Sequence, residues 1–149
     1  MTDQADIAAA QALFESVERA FPALRMTLGR DGPQLDLWLE IPRQDGLAFD
    51  VSLNLQGDEL HLNAGALWLR WFPCTQPDVA ACFQEAVIGL LGGRFRIVEY
   101  LRGERVHRAE LQRPTEQGWQ TIGTRSTPRL PFGRRHMRVL QSEPERGGG

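Results

Sequence analysis

The chain contains no lysine: all 17 of its basic residues are arginine. Schiff-base chemistry on an ε-amine and lysine-dependent phosphate loops are thereby excluded. Cysteine is scarce as well. Cys74 and Cys82 are the two present, and their spacing matches neither a CxxC zinc pair nor a redox motif, so small buried thiols in a reducing compartment are expected. Long apolar runs are missing too, since nothing approaches the roughly 18 to 20 consecutive apolar residues that cross a bilayer. The opening MTDQADIAAA is acidic where a signal peptide would be basic. These shortages predict a cytoplasmic protein that does not enter membranes. No motif assigns a catalytic residue, a cofactor or a metal ligand, and the balance leans away from an enzyme.

What is present is enough apolar material for one core: 149 residues, 42% hydrophobic. The net charge of -2 hides a polarity along the chain. Residues 1–93 carry 13 acidic and 5 basic residues, a net of -8, whereas residues 94–149 carry 6 and 12, a net of +6. Either the halves neutralise each other inside one fold, or a basic surface is kept for an anionic partner.

The stretch from Leu47 to Phe72 organises the rest. Gly57-Asp58 is a Gly-X pair suited to a two-residue type II′ turn, which sets Leu55 opposite Leu60, Leu53 opposite Leu62 and Val51 opposite Ala64. Past Ala64 the apolar parity changes, from Leu60, Leu62 and Ala64 to Leu67, Leu69 and Trp71. A β-bulge at Gly65 is expected to absorb the extra residue and keep one long hairpin, with Leu67 opposite Phe49.

Before this hairpin, Ile7, Ala10, Leu13, Phe14, Val17 and Phe21 lie at helical spacing over residues 4–20. A strand is expected from Ala23 to Leu28, and LDLWLEI alternates as a second. After it, Thr75 with Pro77 and Asp78 predicts a helix start, and the stripe Val79, Cys82, Phe83, Ala86, Val87, Leu90 and Leu91 runs to a Gly92-Gly93 stop, with Cys82 in the core. Cys74 would sit at that helix N-terminus, where the dipole favours a thiolate. Gly103-Glu104 turns another hairpin that would oppose Glu99 to Arg108, and Trp119–Ile122 is a last short strand.

The expected fold class is therefore α+β, a mostly antiparallel sheet of six to seven strands with two helices on one face, in the order αββββαβββ. One domain is expected over residues 1–123. Residues 124–149, rich in Arg, Pro and Gly, are expected to form a tail that contributes little to stability, with a PxxP match at Pro128–Pro131. The element order resembles that of type III secretion chaperones, which begin with a helix, run three strands, a helix and two more strands. That resemblance, of order alone, implies an acidic dimer that binds an unfolded stretch of another protein.

Candidate binding residues follow from parity. Trp38 and Trp68 fall opposite the leucines of their strands, so they face outward. The polar face of the hairpin collects Asp50, Asn54, His61 and Asn63. The expected function is a non-enzymatic protein-binding module, chaperone-like or toxin-neutralising, whose partner is another protein or a second copy in a homodimer. One alternative is a small hydrolase or ligand-binding enzyme using the polar face. Another is a nucleic-acid accessory protein working through the arginine-rich tail, which a sequence pI near 5.9 disfavours.

Overall fold

The computed structural model describes residues 3–33, 35–128 and 132–143. Helix α1, Gln4–Ala20, forms where the apolar spacing requires it; Asp3 caps it by accepting from the Asp6 N–H at 2.9 Å, and Phe21-Pro22 ends it. Its buried stripe is Ala10, Phe14 and Val17. Five strands follow as an antiparallel meander: β1 Thr27–Arg30, β2 Leu37–Ile41, β3 Val51–Gln56, β4 Glu59–Ala64 and β5 Leu67–Trp71. The first strand begins later than expected, yet Leu24, Met26 and Leu28 still pack on the core.

Gly57 takes φ +61 in the turn between β3 and β4, and the pairs Leu55↔Leu60, Leu53↔Leu62 and Val51↔Ala64 match expectation. Gly65, at φ +56, is not a bulge. Gly65-Ala66 is a second two-residue turn, which pairs Ala64 with Leu67 and Leu60 with Trp71. Such a turn changes apolar parity just as a bulge does, because the two flanking residues share a face. Leu37, Leu39, Leu53, Leu55, Leu60 and Leu62 are fully buried on that face, each worth about 1.5–3 kcal/mol relative to exposure.

Helix α2, Pro77–Leu91, packs on the same face beside α1, with the Phe14 and Phe83 rings 6.1 Å apart. Its N-cap is Gln76, without a side-chain cap bond, in place of Thr75. The buried spacing Phe83, Ala86, Val87, Leu90 leaves Cys82 one step round the helix, so Cys82 is exposed. Gly93 supplies the left-handed residue after the helix at φ +76.

The remaining strands build a separate antiparallel sheet rather than extending the first. They are β6 Arg96–Arg102, β7 Arg105–Thr115, β8 Gly118–Ser126 and β9 Arg135–Leu140, in spatial order β8-β7-β6-β9. The expected single sheet of six to seven strands is thus two sheets of five and four. Five strands, not three, separate the helices, so the element order departs from that of type III secretion chaperones. The boundary expected at residue 124 falls inside β8, and part of the expected tail is β9, paired with β6 from Ile97↔Leu140 to Arg102↔Arg135. Beyond it, Ser142 Oγ accepts from the Ala48 N–H at 3.2 Å and the Glu143 N–H donates to the Gly46 carbonyl at 3.0 Å. Arg129, Leu130 and Pro131 of the PxxP match lie outside the described residues.

Candidate functional site

The outer face of the five-stranded sheet carries the residues that parity singled out. One row crosses all five strands as Gly29, Trp38, Asn54, His61 and Arg70. The Trp38 indole is half-buried because it lies against β1 and the turn after it, where Gly29 and Gly32 have no side chains to obstruct it. Asn54 is 7% exposed, and among the described residues its Oδ1 has no hydrogen-bond partner. His61, 4% exposed, places Nε2 at 3.0 Å from Glu59 Oε2, and its ring meets Trp68 edge-on at 5.2 Å. The Arg125 guanidinium, from β8, sits 5.0 Å from the Trp68 ring, which is also half-buried.

Trp38, Asn54, His61 and Trp68 therefore form one contiguous patch. Asn63 lies in the next row, between Ser52 and Trp68. Asp50 stands apart: exposed, it accepts from the Arg43 N–H at 2.7 Å and stabilises the connection from β2 to β3. Both border a shallow recess of about 430 Å³.

Three further sets of residues lie on the second sheet, where sequence spacing pointed less clearly. Glu99, 1% exposed, receives Arg138 Nε and Nη2 on Oε1, each at 2.7 Å, while its Oε2 accepts from the Ala66 N–H at 3.0 Å. This carboxylate fastens β9 to the β4–β5 turn and thereby joins the two sheets. It was expected opposite Arg108, but a register shift between Tyr100 and Leu101 moves Glu99 opposite Ala109 and makes His107 the extra residue. Glu110 collects Tyr100, Gln112 and Thr121 on Oε2 and Arg108 on Oε1. Burial, then the Glu110 charge and hydrogen bond, raise the Tyr100 phenol above its usual range. The third set is a row of three arginines, Arg105, Arg102 and Arg135, directly opposite one another on β7, β6 and β9.

Comparison with protein-family models, curated proteins and solved structures finds no match to this chain.

Among the described residues, Cys74 is the other group with a perturbed titration. It is buried, and its Sγ lies 3.5 Å from Asp6 Oδ1. Burial and then the Asp6 hydrogen bond push the thiol up to about 12. This is the reverse of the thiolate that a helix N-terminus would favour, because desolvation and the neighbouring carboxylate outweigh the dipole. Among the described residues no cluster of three His, Cys, Asp or Glu side chains is placed to hold a metal ion, and no helix is long and apolar enough to cross a membrane.

Proposed function

We propose that the protein is a non-enzymatic protein-binding module that accepts an extended segment of another protein along β9 and the adjoining outer face of the second sheet. The observation that carries this reading is an uncovered edge. Among the described residues, β9 pairs on one side with β6 and has no backbone partner on the other, while its side chains Met137 and Val139 are 56% and 45% exposed. Nothing within β9 interrupts it: the strand has neither proline nor a register shift. Such an edge is a template for strand addition, with main-chain bonds supplying affinity and alternate side chains supplying specificity. Trp119, exposed on the same face across the sheet, adds apolar area beside the polar Glu110 network.

A second copy is the poorer occupant of this edge, since pairing two β9 strands would gather two copies each of Arg135 and Arg138 along six residues of edge. The tryptophans expected to form the interface, Trp38 and Trp68, are already engaged by Gly29, Gly32, His61 and Arg125 of their own chain. A hydrolytic role for the first-sheet face would need His61 open to substrate, and it is nearly fully buried. A cytoplasmic setting accords with two free cysteines.

The test is peptide selection from a display library, followed by affinity measurement on Val139→Glu and Met137→Glu. Selected peptides are expected to lose about tenfold or more in affinity for each variant, a change of roughly 1.4 kcal/mol. Peptides that bind these variants as tightly as the parent, but are weakened by Trp68→Ser, would move the interface to the first sheet. Concentration-dependent dimerisation blocked by Val139→Glu would make the occupant a second copy.

A further inference from the structure

We propose that the arginine row at the turn end of the second sheet, Arg102, Arg105 and Arg135 with His107, is a binding site for a compact polyvalent oxyanion of the phosphate class. Arg102 stands directly opposite Arg105 on one side and Arg135 on the other. Like charges facing each other across a sheet are destabilising, and here the repulsion occurs twice on one residue. Three arginines of the same sheet are compensated by carboxylates: Arg108 by Glu110, Arg113 by Glu85 and Arg138 by Glu99. Among the described residues, none of the three arginines in the row has an acidic partner, and Glu104 at the tip of the same turn forms no ion pair.

The shape of the surface agrees with the charge. Two adjoining hollows, of about 300 and 400 Å³, share Arg102 and His107; Arg135 borders the first and Arg105 the second. His107 is the extra residue of the register shift, and an irregularity of that kind re-aims a side chain beside a site. Strands lie about 4.8 Å apart, so the three guanidinium stems stand within reach of one small group. A single carboxylate would neutralise only one of them, whereas a phosphate ester or pyrophosphate carries enough charge and acceptor oxygens for forked contacts to several. The other arginines of the sheet's strands are engaged, which argues against a track for a long polyanion: Arg108, Arg113 and Arg138 are held by carboxylates, and Arg96 and Arg125 stack on Trp119 and Trp68.

The experiment is a phosphorus NMR titration of inorganic pyrophosphate at low ionic strength, with citrate, an octaglutamate peptide and a single-stranded oligonucleotide as parallel arms. Saturable pyrophosphate binding is expected. Arg102→Gln, Arg105→Gln and Arg135→Gln should each weaken it about tenfold or more, while Arg113→Gln, which alters a compensated arginine of the same sheet, leaves it unchanged. Thermal melts of the variants confirm that they remain folded; the wild-type titration and the Arg113→Gln comparison do not depend on them. Absence of saturable pyrophosphate binding overturns the proposal, as does equal weakening by Arg113→Gln. Citrate or octaglutamate binding as tightly as pyrophosphate would overturn the phosphate class in favour of carboxylates. Oligonucleotide binding without pyrophosphate binding would replace the compact ligand with nucleic acid.

Discussion

The indole of Trp38 fills the space that a side chain at Gly29 would need. A Cβ built on Gly29 would lie 2.2 Å from Trp38 Cε2, inside contact distance, so the glycine and the tryptophan are a matched pair across β1 and β2. Gly29→Ala should therefore cost about 1–3 kcal/mol by overpacking. In a Trp38→Ala background the same change should cost much less. Urea denaturation of the four proteins measures the coupling; equal costs in both backgrounds would show that the two residues do not interact.

Arg138→Met should destabilise the protein by about 1–3 kcal/mol, because it leaves the buried Glu99 carboxylate with only the Ala66 N–H. The loss stays modest because the Arg138 side chain is 54% exposed and its pairing is screened by water. Adding Glu99→Gln to Arg138→Met should recover part of the loss, since a neutral amide is cheaper to bury than an unpaired charge. A chain cut after Thr127 should lose at least as much as Arg138→Met, against the expectation that residues past 124 contribute little. A truncated protein that melts like the full chain would show that β9 carries no stability.

Much of the first sheet was legible because apolar parity reports directly which side chains share a face. Leu55↔Leu60 and Leu53↔Leu62 follow from Gly57-Asp58 with no further information. The change of parity at Gly65 was also real, but a bulge and a two-residue turn produce it equally, and only the position of β5 distinguishes them. β9 left no such trace. An edge strand drawing on backbone bonds to β6 needs no apolar alternation, and RHMRVL has little. The patch of Trp38, Asn54, His61 and Trp68 was visible from parity, whereas the arginine row required β9 to exist and Glu99 required the register shift at His107 to be known.

Gly65→Ala should cost about 1 kcal/mol or more, since its φ of +56 suits glycine and a Cβ would meet Glu99 Oε2 at 3.2 Å. Thermal denaturation reads the effect. Gly57→Ala, at a similar φ of +61 but with open space around it, isolates the backbone share; equal losses at both glycines would mean that Glu99 does not constrain the turn.

The two cysteines should differ sharply in reactivity. Cys82 is exposed and Cys74 buried with its thiol raised from 9.0 to about 12. Alkylation of the native protein should modify Cys82 alone, and unfolding should expose the second site. Because the folded protein holds the Cys74 proton more tightly than the unfolded chain, the stability it contributes is fully present below about pH 9 and is lost as pH rises towards 12. Across that window the wild type should lose up to about 1.4 kcal/mol per pH unit relative to Cys74→Ala. Parallel pH profiles for the two proteins would contradict the burial argument.

The most direct test of the binding-module account is hydrogen exchange at residues 135–140, with and without a peptide selected for binding. In the free protein, alternate amides of β9 should exchange rapidly, because one side of the strand has no backbone partner among the described residues. On binding, those same amides should slow by about tenfold or more as a strand is added. Protection that instead appears around Trp38 and Trp68, with β9 unchanged, would contradict the account.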